Sequence, residues 1–239
     1  MNVIKNIEVF GDSILKGIQI NPLNQRYYVD NHIDQEISEA RSLHIENFSR
    51  FGCTITKGWS LLEKRLRKGI CCDTIVMNYG GNDCDFNWKE IAERPQEPHL
   101  PHTPLDLFTA QYRKIIRTLK ERGIQPILTT LPPLIPQKFF DWFCRGLNLE
   151  NIMTWLGDVG TIYRFQENYS RTVEQIARET QVPLVDLRGA FLHHRTIDHL
   201  FCEDGTHPNT AGQQLITSAF LAFAETFRLD GGRMEPVGV

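Results

Sequence analysis

Ile7-Glu8-Val9-Phe10-Gly11-Asp12-Ser13 is a short apolar run that closes on a glycine, an acid and a hydroxyl. A run of this length, bounded by turn residues, reads as a strand buried in a sheet. The pattern recurs at residues 45–48, 74–78, 126–130 and 183–185, and longer segments with helical spacing lie between. Strands that alternate with helices form βαβ units, so the sheet is expected to be parallel. Thr54 stands where it would cap a helix running through Trp59, Leu61, Leu62 and Leu66 to a stop at Gly69. Thr103-Pro104 reads as the N-cap and first position of a helix that ends at Gly123. Another helix is expected over 163–180. The last runs from Asn209 through Leu215, Ile216, Phe220 and Phe223, whose spacing makes one apolar face for the sheet. Two stretches interrupt the alternation: residues 93–104, a surface loop with four prolines, and residues 131–160, rich in aromatic side chains.

A chain of 239 residues buries an adequate core without disulfides or metal, and one domain over 1–239 is expected. The formal net charge of -3, with no basic stripe beyond Lys64, Arg65, Arg67 and Lys68, argues against nucleic acid as a partner. Lys5 and Glu8 break the apolar start, which does not fit a secretory signal, and no stretch approaches the roughly 20 apolar residues of a membrane span. The expected address is therefore the cytoplasm. Cys53, Cys71, Cys72, Cys84, Cys144 and Cys202 lack metal-ligand spacing and read as reduced thiols.

Ser13 lies at the carboxyl end of its strand, where open α/β sheets bind ligands. Alone, Gly11-Asp12-Ser13 is equally good turn chemistry. The second strand leads into Ser49-Arg50-Phe51-Gly52, and the third into Gly80-Gly81-Asn82-Asp83. In a sheet of order 2-1-3-4-5 these loops are neighbours, so Ser13, Gly52 and Asn82 would meet. The backbone N–H groups of Ser13 and Gly52, with the Asn82 amide, then supply three donors for the oxyanion of an acyl-transfer reaction. Taken singly, Gly52 is a turn glycine and Asn82 a local cap. Asp204-Gly205-Thr206-His207 places a carboxylate three residues before an imidazole. The acid can bend back through the glycine to hold Nδ1–H, which leaves Nε2 as a base toward a serine.

With these four blocks in this order, the sequence resembles the SGNH hydrolases, also called the GDSL esterase/lipase family. The resemblance spans the chain. It implies a flavodoxin-like α/β fold of three α/β/α layers, with a doubly wound parallel sheet of five strands in the order 2-1-3-4-5. It also implies Ser13 as nucleophile, Asp204 and His207 as the rest of the triad, and Ser13, Gly52 and Asn82 as the oxyanion hole. Two departures stand out: the residues after Ser13 differ from those of many relatives, and 131–160 exceeds a minimal connection.

His193, His194 and His199 have no carboxylate or cysteine at ligand spacing, so neither a metal nor a cofactor is expected. His99 and His102 are candidates for the pocket rim, and Cys84 and Asp85 for its lining. The aromatic segment 131–160 has three readings: the wall of an acyl or leaving-group pocket, a homo-oligomer interface, or an extra helix pair that completes the core; core plus pocket wall ranks first. The leading function is hydrolysis of a small-molecule ester, with short or acetyl esters of sugars or metabolites foremost. Thioesterase or lysophospholipase-like activity is the alternative within the same chemistry, and a non-catalytic flavodoxin-like binding domain the alternative outside it.

Overall fold

The computed structural model describes residues 5–30, 32–230 and 233–236. Residues 1–4, part of the stretch read for an export signal, lie outside the described residues, as do the last residues of the expected 1–239 domain. The chain opens with β1 (Lys5–Gly11), a hairpin of β2 (Ile18–Ile20) and β3 (Tyr27–Val29), and α1 (His32–Arg41). β4 (Leu43–Asn47), α2 (Ile55–Lys68), β5 (Thr74–Asn78), α3 (Trp88–Glu93) and α4 (Leu105–Glu121) follow. Next come β6 (Gln125–Thr129), α5 (Pro136–Phe143), α6 (Leu149–Leu156) and α7 (Gly160–Thr180). β7 (Leu184–Val185), α8 (Leu187–Leu192), α9 (Thr210–Thr226) and a terminal hairpin of β8 (Phe227–Asp230) and β9 (Arg233–Pro236) complete it.

The central sheet is parallel and runs β4-β1-β5-β6-β7, which is 2-1-3-4-5 when its five strands are counted along the chain. Val9 is in register with both Asn47 and Val76, and Gly11 with Asn78. The loops after these three strands therefore leave from one edge.

Period-two alternation distributes the apolar side chains between the two faces. Phe10, Ile75, Met77 and Leu128 point to one side and meet Leu62 of α2, Phe108, Tyr112 and Ile115 of α4, and Val173 of α7. Val9, Val76, Ile127 and Val185 point to the other and meet Ile33 of α1, Phe191 of α8 and Ile216 of α9. Each such buried side chain contributes about 1.5–3 kcal/mol, so both layers are anchored by the strands themselves. A third apolar cluster lies off the sheet, where Phe86 and Ile91 pack with Phe139, Phe140, Ile152 and Leu156 of α5 and α6 and Ile162 of α7.

Two helix starts differ from expectation for one reason. Thr54 is the N-cap of α2 yet makes no side-chain cap bond. The Asp83 carboxylate takes that place, accepting from Ile55 N–H at 3.0 and 3.2 Å. The Thr103 hydroxyl also bonds Asp83. Pro104 is thereby left as the N-cap, and α4 begins at Leu105. Among the described residues no helix is long and apolar enough to cross a membrane.

Candidate active site

The turn after β1 is fixed by its own acid. Asp12 Oδ1 accepts the Ile14 N–H at 2.9 Å, and its carbonyl accepts the Lys16 N–H at 3.1 Å. Ile18 N–H, at the start of β2, donates to the Ser13 carbonyl at 3.0 Å. These bonds hold Ser13 just past the end of β1, where the residue is buried at 6% exposure.

Across from it, the loop before α9 folds back on Asp204. Oδ1 accepts the backbone N–H groups of Thr206 and His207, both at 3.1 Å. Oδ2 meets His207 Nδ1 at 2.5 Å, and His207 Nε2 lies 2.8 Å from Ser13 Oγ. The fold-back requires Gly205. Its φ of +69° is a left-handed conformation, and a Cβ there would lie 2.6 Å from the Ile135 carbonyl oxygen and 2.6 Å from Lys138 Cβ. Burial pushes the Asp204 carboxyl up, but the hydrogen bonds from the His207 ring and from the two backbone amides outweigh it and hold the group below its ordinary range. The acid is thereby held ionised against Nδ1, which suits it to orient the imidazole for transfer of a hydroxyl proton to Nε2.

Gly52, with φ +66°, turns the chain after β4, and Asn82 follows β5. Both reach the pocket that contains Ser13 and His207. The N–H groups of Ser13 and Gly52 have no hydrogen-bond partner among the described residues. The Asn82 amide donates to Asp12 Oδ2 at 3.2 Å. Burial raises Asp12 to about 6, against the opposing pull of the Ile14 N–H and of His207. Asp83 is likewise raised to about 6 by burial, against its bonds from Thr103, Ile55 and Gly80.

The pocket holds about 100 Å³ and is lined on its far side by Leu131, Pro132, Phe139 and Phe143, with Asp85, Gln166 and Thr206 as polar walls. A smaller hollow of about 20 Å³ shares Asp85, Phe139 and Gln166 and continues toward Phe86, Trp88, Cys84 and Phe165. The segment 131–160 thus divides. Residues of its first half face the pocket, while Trp155 packs behind the wall against Phe86, Trp88 and Phe165. Of the two loop histidines, His102 bonds the Asn82 carbonyl through Nδ1 at 3.0 Å, and His99 sits on the Trp155 ring. His193 and His194 close α8 on the exposed surface, and His194 meets His199 edge to face. All six cysteines are free.

Sequence reasoning did not find the aromatic residues around His207. Phe51 stacks on the imidazole with centroids 5.7 Å apart and planes 9° apart. The Tyr27 ring lies 5.3 Å from it, and the Tyr27 hydroxyl donates to Asp204 Oδ2 at 3.2 Å. Tyr27 comes from the β2–β3 hairpin, a polar stretch with no periodic signal to mark it.

Solved structures of similar fold cover nearly the whole chain. A lipase/acylhydrolase from Enterococcus faecalis superposes with a TM-score of 0.66 at 16% identity, over 99% of this chain and 100% of that one. An acetylxylan esterase from Geobacillus stearothermophilus gives 0.63 at 19% identity, over 93% and 96%. An α/β hydrolase enzyme from the metagenome of Lake Arreo, Spain, gives 0.65 at 18% identity, over 92% and 95%. Among curated proteins none matches significantly. Residues 9–215 match the model of the GDSL-like lipase/acylhydrolase family. That span runs from the strand carrying Ser13 into the helix after His207, and the chain therefore belongs to this family of hydrolases.

Proposed function

We propose that the chain is an ester hydrolase that works through an acyl-enzyme on Ser13. The observation that carries this reading is the continuous chain from Ser13 Oγ through His207 to Asp204, at 2.8 and 2.5 Å. In it, His207 Nε2 removes the Ser13 proton as Oγ attacks the ester carbonyl, and the carbonyl π electrons move onto oxygen. The oxyanion is received by the N–H groups of Ser13 and Gly52 and by the Asn82 amide. When the C–O bond breaks, imidazolium returns the proton to the leaving alkoxide. Water then repeats the sequence on the acyl-enzyme, giving the carboxylic acid and free Ser13. Asp204 stays ionised throughout and stabilises the imidazolium.

Pocket volume favours a small acyl group. A space of about 100 Å³ closed by Leu131, Pro132, Phe139 and Phe143, with Asp12, Asp85 and Gln166 beside them, suits an acetyl better than a long alkyl chain. Acetyl esters of sugars or small metabolites are the proposed substrates. The acetylxylan esterase of similar fold acts, by its name, on this class. In the same reading the chain is one catalytic domain, and 131–160 supplies its pocket wall.

A fluorophosphonate probe with peptide mapping tests the reading. Labelling at Ser13, lost together with p-nitrophenyl acetate hydrolysis in Ser13→Ala, is the expected result. Labelling at another serine, or undiminished hydrolysis by that variant, rejects it.

A further inference from the structure

Asp204 is 0% exposed, and an ionised carboxylate offers about four lone-pair sites. Three are taken within its own loop, by the N–H groups of Thr206 and His207 and by His207 Nδ1. The fourth is taken by Tyr27, whose hydroxyl donates at 3.2 Å to Oδ2, the same oxygen that holds the imidazole. A tyrosine hydroxyl has one proton, and this one is committed to Asp204. Its oxygen is in turn the acceptor for the Trp142 indole N–H at 3.1 Å. The chain therefore extends past the acid, from Trp142 through Tyr27 and Asp204 to His207 and Ser13.

We propose that Tyr27 is a positioning residue for the reaction, fixing the Asp204 carboxylate, and that Trp142 orients the Tyr27 hydroxyl. The proposal rests on the Ser13 mechanism above and adds to it two residues from separate elements, the β2–β3 hairpin and α5.

The hairpin is built to deliver this contact. Ile20 N–H donates to Cys202 Sγ at 3.4 Å, and Gln25 Nε2 to Glu203 Oε2 at 3.2 Å, so the hairpin is tied to the two residues that precede Asp204. From α5, the Trp142 ring meets Tyr27 edge to face at 6.5 Å and also carries the Arg145 guanidinium at 5.0 Å. Donation by the indole polarises the hydroxyl and strengthens the bond that the hydroxyl gives to the carboxylate. Tyr27 is not among the residues that line the pocket, and its ring, which meets His207 and Phe51, is kept in a phenylalanine variant, so the effect of the hydroxyl passes through Asp204 and falls on turnover.

The test is a double-mutant cycle read in steady-state kinetics with p-nitrophenyl acetate. Tyr27→Phe keeps the ring and removes only the hydroxyl. It is expected to lower kcat about tenfold with KM unchanged, the loss of one hydrogen bond to a charged group. Trp142→Phe, which keeps an aromatic ring and removes the indole N–H, is expected to lower kcat about threefold. Because Trp142 acts through Tyr27, the double variant is expected to match Tyr27→Phe alone. An unchanged kcat in Tyr27→Phe overturns the proposal. So do losses that multiply in the double variant, or a change confined to KM, which would make Tyr27 a substrate contact. A parallel Ser13→Ala control separates the two levels of the argument: if it keeps parental activity, the Ser13 mechanism itself fails and Tyr27 with it.

Discussion

Gly52 and Gly205 form a matched pair for testing why the acid–base loop contains a glycine. Their φ angles are nearly equal, +66° and +69°. An alanine at either position pays the same left-handed backbone penalty, about 1–2 kcal/mol. The surroundings differ. A Cβ on Gly52 meets nothing within 4 Å, whereas one on Gly205 meets Ile135 O at 2.6 Å, Lys138 Cβ at 2.6 Å and Phe139 N at 3.0 Å. Two of these contacts are backbone atoms at the start of α5, which cannot swing aside as a side chain does. Relieving the overlap requires the loop or the helix to shift by several tenths of an ångström, at a further cost of about 1–3 kcal/mol for overpacking. For a chain of this length each kcal/mol lowers Tm by about 2–4 °C. Gly52→Ala is therefore expected to lose about 2–8 °C and Gly205→Ala about 4–20 °C by calorimetry. The activity loss should also be the larger in Gly205→Ala, because the shifted loop carries both Asp204 and His207. Assays belong well below either melting point. Equal losses of Tm in the two variants would refute the reasoning, since they would mean that α5 yields freely.

Asn82→Ala is expected to lower kcat about 10²–10³-fold with a smaller change in KM, the size of losing one oxyanion donor. A sharp rise in KM at constant kcat would instead make Asn82 a ground-state contact. Asp12 and Asp83, both raised to about 6 by burial, bind protons more tightly folded than unfolded. Their contribution to stability is thus complete below the unfolded value near 3.8 and is lost as pH rises through about 6, roughly 3 kcal/mol for each. Asp204, lowered in the fold, contributes stability that is lost only as pH falls below 3.8, so these three groups together favour a Tm maximum near that value. In Asp12→Asn the decline of Tm between pH 4 and 6 should be shallower than in the parent; an identical decline would show that Asp12 does not titrate there. Phe143→Ala is expected to raise hydrolysis of butyrate relative to acetate esters, because Phe143 lines the pocket. Trp155→Ala, behind the wall and partly buried, should lower stability and leave that ratio unchanged; the reverse pattern would place the selective surface in α6.

What the sequence makes legible is what is local. Most central strands are short apolar runs with their own boundaries, and Asp204, Gly205 and His207 are close enough in the chain for their spacing to imply contact. The loops carrying Ser13, Gly52 and Asn82 are far apart in sequence, but the order of a doubly wound sheet brings them to one edge. Other features depend on partners that no spacing announces. Asp83 caps α2 from 28 residues away, so Thr54 keeps the N-cap position without a side-chain cap bond. Tyr27 reaches Asp204 across 177 residues and Trp142 across 115. α1 buries Ile33 alone among its ten residues and so leaves almost no apolar stripe to recognise. The segment 131–160 signals that its aromatic residues need burial, but its short helices α5 and α6 sort them between the pocket face and the rear only through packing with α3 and α7.

The contact between α5 and the acid–base loop has a mechanical side. Ile135 N–H donates to the Gly205 carbonyl at 2.8 Å, and the first turn of α5 leaves no space beside Gly205. Further along the same helix, Phe139 and Phe143 line the pocket that contains Ser13. On the proposed mechanism, an acyl group too large for that pocket would gain room by pressing this helix outward, and the helix is bonded to the loop that holds His207 against Ser13. Oversized substrates are then expected to lose rate in the chemical step, through misalignment of the base, as well as in binding.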